Sequence, residues 1–163
     1  MKKILCYHYE TYFPEVKAQD IFTCLHYDRH VLKWNNQVIE NIYKTNEDEI
    51  TEGSTYISRM KIDKKEIEVE ALIIKMEIPN KFAVETKTKE GRSMTEYYLE
   101  EDSEGTNFKV IVSLIPTNLF YYSLTVTMKW SFKFIYNDLF DHFREYVYHY
   151  IDEIDTLDRS SLS

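Results

Sequence analysis

Arg92, Glu96, Tyr97 and Tyr98 are the side chains of this 163-residue chain best suited to acid–base chemistry. A charged group aimed into an apolar tunnel has a shifted pKa and can move protons there. Strand alternation puts Arg92, Glu96 and Tyr98 on one face and Tyr97 and Leu99 on the other, without saying which face is inside. Two histidine pairs, His26 with His30 and His142 with His149, have helical spacing. Neither brings a cysteine or a Glu-bracketed motif, so they read as exposed or satisfied histidines, and no metal and no cofactor are expected. Asp138, Asp141 and His142 read as the solvated face of a helix. With only three glycines and no phosphate loop, nucleophile elbow or dinucleotide fingerprint, nucleotide binding of those kinds is excluded.

The elements that must position such groups begin with the last quarter of the chain. From Met128 to Leu157, Phe132, Ile135, Leu139, Phe143, Tyr146, Tyr150, Ile154 and Leu157 recur every three or four positions, the pattern of one long amphipathic helix. Ahead of it the chain reads mostly as strands. Ile4 to Phe13 is the first; Pro14 then fits the first turn of a helix with Glu15 beside it, ending near Tyr27-Asp28. A second short helical or irregular piece carries His30, Val31, Leu32 and Trp34. Strands follow at Val38 to Tyr43 and Ser54 to Ile62, then at Glu66 onward, where Glu66, Glu68 and Glu70 alternate with Ile67, Val69 and Ala71. Leu72, Ile73 and Ile74 break that alternation and predict a bulge. Strands from Phe82, from Ser93 and from Thr106 to Ile115 complete a set of about seven, joined by short turns and therefore antiparallel.

From Leu119 to Tyr136 only Lys129 and Lys133 are charged. Those lysines and the frequent Ser and Thr argue against membrane insertion. The segment reads as a strand-like or helical lid leading into the long helix. A break is expected near Met128 to Ser131, because a helix from Asn118 to Leu157 would run about 60 Å. The tail from Arg159 to Ser163 is expected to fray.

Bulk composition narrows the classes. The length suits a single domain over residues 1–163. Twenty basic against twenty-eight acidic residues give a net charge of −8, which disfavours nucleic acid as a partner. Fourteen tyrosines and nine phenylalanines suit a dry core, a partly polar cavity or an interface. Cys6 and Cys24 lack zinc or disulfide spacing and read as reduced. His8 and Glu10 interrupt the signal-like start, so a cytoplasmic location is expected.

This order, one strand, two short helices, six strands and a long C-terminal helix, resembles the helix-grip fold of the START-like, or SRPBCC, superfamily. Trp34 ahead of the second strand, Gly53 opening the third, Glu77-Ile78-Pro79 closing the fourth and Gly105-Thr106 starting the last are similar to landmarks of that group. The insertion-like Thr117 to Thr127 departs from it. The resemblance implies an α+β fold in which a curved antiparallel sheet wraps the helix, with a tunnel between them for an apolar or amphipathic small molecule. A sheet gripping a helix is also, on physical grounds, a place where a largely apolar pocket forms. Strand alternation, whose parity shifts at each bulge, selects Tyr56, Ser58, Met60, Val69, Ala71, Val84, Thr86, Tyr97, Leu99, Phe108, Val110 and Val112 as its lining, with Leu139 and Phe143 from the helix.

Three readings of function follow. The first is a binding module for a hydrophobic small molecule, lipid- or polyketide-like. It requires a continuous apolar cavity. The second is an enzyme of the polyketide cyclase or dehydratase kind, needing two titratable groups within hydrogen-bond reach inside that cavity. The third is a protein-interaction module, chaperone-linked or a homodimer, whose mark would be exposure of the aromatic run from Phe120-Tyr121-Tyr122 through Trp130.

Overall fold

The structure, a computed structural model, describes residues 1–162. Its elements are β1 (Ile4–Pro14), α1 (Ala18–His26), α2 (Asp28–Trp34), β2 (Val38–Tyr43), a 3-10 turn at Glu47–Glu49, β3 (Thr55–Ile62), β4 (Lys65–Glu77), β5 (Lys81–Lys87), β6 (Gly91–Glu101), β7 (Gly105–Pro116) and α3 (Leu119–Ser161). The strands form one antiparallel sheet in the order β1-β7-β6-β5-β4-β3-β2. Each hairpin pairs sequence neighbours, and β1 closes against β7 across the whole length of the chain. In β4 the carboxylates of Glu66, Glu68 and Glu70 face solvent while Val69, Ala71 and Ile73 are buried. The register then skips Ile74, the bulge that the broken alternation predicts. Further irregularities at Cys6 in β1 and Ile39 in β2 add to the bending that lets the sheet curl around α3.

Two expectations are corrected. Pro14 closes β1 instead of opening a helix. Glu15 takes a positive φ of 62° and donates its N–H to Glu104 O at 2.7 Å, so the turn is bound to the β6–β7 loop. The helix begins at Ala18, whose N–H is capped by Glu101 Oε2 at 2.8 Å, a partner 83 residues away that local reading does not supply. The second correction is that α3 runs without a break through all 43 residues. It contains no Gly or Pro to stop it. Asn118 caps it by accepting the Tyr121 N–H at 3.0 Å, and Thr127 and Ser131 turn their hydroxyls back onto helix carbonyls. At about 65 Å it outruns the domain, and its last turns, from Asp155 onward, are exposed. The same helix continues through Arg159 to Ser161, where fraying is expected, and Ser163 lies outside the described residues.

The core sits where α3 crosses β1 and β7 under the cover of α1 and α2. Phe13, Phe108, Phe140 and Phe143 interlock there with Trp34, whose indole N–H donates to Cys24 O at 2.9 Å. Cys6 and Cys24 are free and buried.

His30 of α2 is buried against α3. Its Nδ1 lies 2.7 Å from the Tyr146 hydroxyl and its ring meets Tyr150 edge-on, while Nε2 has no hydrogen-bond partner among the described residues. Burial, reinforced by Arg29 and Lys33 and opposed by Glu153, lowers its pKa below the ordinary histidine value. The unfolded chain therefore binds the proton first as pH falls. The stability of the α2–α3 contact is fully present above pH about 6.5 and is lost as pH drops through that value toward the lower folded one. Urea titrations of wild type and H30Q at several pH values between about 7.5 and 5 test this. The stability difference between the two proteins shrinks on acidification, and a constant difference would refute the assignment.

Candidate functional site

Away from the core crossing, α3 stands off β3 to β6 and leaves a cavity of about 210 Å³. Its sheet wall is built by alternation. Tyr56, Ser58 and Met60 come from β3, Ala71 and Ile73 from β4, Phe82, Val84 and Thr86 from β5, and Ser93, Thr95 and Tyr97 from β6. Tyr136, Leu139 and Phe140 of α3 form the roof, and Val31 and Trp34 of α2 close one side with His26, Asp28, Asn41 and Tyr43.

Of the residues that alternation selects, Tyr56, Ser58, Met60, Ala71, Val84, Thr86, Tyr97 and Leu139 line this space. Val69, Leu99, Phe108, Val110, Val112 and Phe143 do not. They are buried in packed structure on the same inner face, and all but Val69 belong to the main core. Arg92, Glu96 and Tyr98 point the other way. Tyr98 donates to Glu96 Oε1 at 3.0 Å beneath the ammonium groups of Lys81 and Lys109, Lys3 lies 3.6 Å from Glu96, and Arg92 lies 3.7 Å from Glu85. The inward partner in that run is Tyr97.

The interior polar groups fall into two sets. Asp28 Oδ1 accepts hydrogen bonds from Asn41 Nδ2 and the Tyr43 hydroxyl, both at 2.8 Å. Burial and that bond hold the Tyr43 phenol far above its ordinary pKa, so it remains a donor. The second set is unpaired. The hydroxyls of Tyr56, Tyr97 and Tyr136 make no hydrogen bond among the described residues, although they come from three different elements and converge on one space. Burial, with Asp28 nearby, pushes Tyr56 up to about 12. Burial raises Tyr97 as well, with Tyr56 and Tyr136 as its charged-state neighbours, and it likewise raises Tyr136. All three are neutral donors at physiological pH. His26, pushed below its usual pKa by burial, adds a neutral imidazole.

Reading from sequence missed Asp28, Asn41, Tyr43, His26 and Tyr136. Ser93 and Thr95 share the parity of Tyr97 and were available to it. Asp28 was not, because the sequence reads it as the end of the first helix, and its partners Asn41 and Tyr43 come from a later strand. Among the described residues there is no cluster of His, Cys, Asp or Glu able to hold a metal ion.

No family model and no curated protein matches the sequence. Solved structures do. A protein of unknown function from Staphylococcus aureus superposes with a TM-score of 0.71 at 12% identity, covering 93% of this chain and 97% of that one. Ara h 8.0201 matches with a TM-score of 0.65 at 14% identity over 91% of this chain and 99% of its own. The major latex-like protein 151 of Panax ginseng matches with 0.59 at 8% identity, covering 88% and 95%. The chain therefore has the helix-grip α+β fold, a long helix held in a seven-stranded antiparallel sheet. No helix among the described residues is long and apolar enough to cross a membrane.

Proposed function

We propose that this protein binds a compact amphipathic molecule in the cavity between α3 and the sheet. The observation that carries this reading is the convergence of three unpaired tyrosine hydroxyls on an otherwise largely apolar space. No protein group among the described residues takes up these hydroxyls, which are open to the cavity, so a ligand with oxygen or nitrogen acceptors can accept their hydrogen bonds. Size narrows the class. At 210 Å³ the space holds the volume of roughly seven waters and lies below the usual range for drug-sized ligands. A small ring system bearing carbonyl or hydroxyl groups fits better than a two-chain lipid. Asp28 supplies an acceptor at one end.

The test is a thermal-shift screen of small oxygenated ring compounds against wild type, A71L and Y97F. Ala71 faces the cavity, so a leucine there fills it without opening the core. Hits raise the midpoint of wild type and leave A71L unmoved. Y97F binds them about five- to tenfold more weakly, the loss of one hydrogen bond. An A71L protein that keeps every shift would refute the site.

One observation favours a second reading, an acid–base enzyme of the cyclase or dehydratase kind. Asp28 and Tyr43 lie 2.8 Å apart within the cavity wall, which meets the requirement for two titratable groups in reach. Mass analysis of a bound hit distinguishes the readings. An enzyme converts it and D28N does not, whereas a binding protein returns it unchanged from both.

A further inference from the structure

The first turns of α3 carry apolar side chains around nearly the whole helix. Their inner side rests on the protein through buried Thr125 and half-buried Tyr122, while Leu119, Phe120, Trp130 and Phe134 are 76%, 68%, 67% and 63% exposed on the outside. At 3.6 residues per turn Leu119, Trp130 and Phe134 fall on one outer face, flanked by Phe120 and Leu124. A contiguous apolar face of this kind marks a surface that is covered in use.

Charge identifies what covers it. The chain as a whole carries −8, yet no acidic residue occurs between Leu119 and Asn137. At this end of the molecule Lys3, Lys89 and Arg92 are matched by Glu96, Glu90 and Glu85. Lys2, Lys129 and Lys133 have no ion pair among the described residues, and Lys133 lies against the Phe134 ring. A second copy packed on this face would set two bodies of the same negative charge against each other. An anionic bilayer complements both features. Aromatic and aliphatic side chains enter the boundary between headgroups and acyl chains, and lysines beside them meet lipid phosphates.

We propose that the N-terminal half of α3 docks this protein peripherally on an anionic lipid surface, with Trp130 and Phe134 inserted and Lys133 at the headgroups. The rest of the protein stays outside, since no helix spans.

The experiment is flotation of the full chain with vesicles of phosphatidylcholine alone or mixed with phosphatidylserine, at low and high salt, with tryptophan fluorescence read in parallel. Trp34 is 4% exposed and already hydrogen-bonded, so an emission shift reports Trp130. The protein floats with the anionic vesicles, its emission moves to the blue, and salt weakens the association. W130E/F134E reduces partition more than about tenfold, K133E reduces it on anionic vesicles only, and both variants keep the wild-type circular dichroism. Absence of flotation at low salt, or equal flotation by W130E/F134E, would overturn the proposal. A blue shift without vesicles that accompanies a doubling of mass would do so too, by making a second copy the occupant.

Discussion

Replacing Phe143 with alanine lowers the stability of this protein by about 4 kcal/mol. Phe143 is fully buried where every layer meets. Its ring is 4.7 Å from Trp34 of α2, 5.3 Å from Phe108 of β7 and 6.4 Å from Phe13 of β1. The neighbours are large rings already interlocked with one another, so they cannot close over the space a truncation leaves, and the cavity cost adds to the lost transfer energy. Leu139 stands one turn earlier on the same helix but borders the cavity of the candidate site. Its truncation enlarges an existing space and costs about 2 kcal/mol, the lower end of the range for leucine. Phe134, on the exposed outer face, changes stability by less than about 0.5 kcal/mol when cut back. Urea unfolding of the three variants gives the comparison, with an unchanged denaturant slope as the sign that only the native state has been altered. A Phe143 variant no weaker than the Leu139 variant would mean that α3 does not pack on the sheet as described.

The contrast between those two positions also explains what could be read in the sequence. Alternation is a local property of a strand, and the one exposed and one buried face of each strand were legible from residues such as Glu66 to Ala71. Strand β2 spans Val38–Tyr43, the same bounds that its pattern of β-branched and aromatic residues suggests. Alternation names the inner face but does not divide it. Phe108, Val110 and Val112 lie under the crossing helix and are packed, whereas Tyr56, Val84 and Tyr97, on strands further from β1, look onto open space. That division depends on where α3 crosses, which is a long-range property. Asp28 shows the same limit: it joins the site because β2 brings Asn41 and Tyr43 to it. The expected break in α3 failed for a different reason. It assumed that a helix must end where its domain ends, but Met128 to Ser131 holds no residue that stops a helix, and the exposed last turns keep their own hydrogen bonds whether or not anything covers them.

The second large effect concerns a backbone contact that frames the site. Gly91 opens β6 opposite Pro116 of β7, with φ at 152°, and a Cβ placed on it would lie 2.1 Å from the Ile115 carbonyl oxygen and 2.9 Å from Pro116 Cα. Both obstacles are backbone, so no rotamer change relieves them. Gly91→Ala must separate the two strands at this end, and it lowers stability by about 3 to 5 kcal/mol. Gly53 is the control. It also has a positive φ, 89°, but nothing lies within 4 Å of its Cβ position, so alanine there costs only the conformational strain, about 1 to 2 kcal/mol. The consequence for function comes through the same hairpin. Thr117, just before α3, donates its N–H to Glu90 O at 2.9 Å, and Ser93, Thr95 and Tyr97 follow Gly91 along β6 as cavity wall. Moving the hairpin therefore shifts the Tyr97 hydroxyl relative to Tyr136 on the helix. Gly91→Ala loses affinity for cavity ligands at temperatures where it is still folded, while Gly53→Ala, on the β2–β3 side, retains it. Urea midpoints and thermal-shift titrations of the two variants measure both effects. Equal stability of the two proteins would show that the close approach of β6 to β7 is not what holds this wall in place.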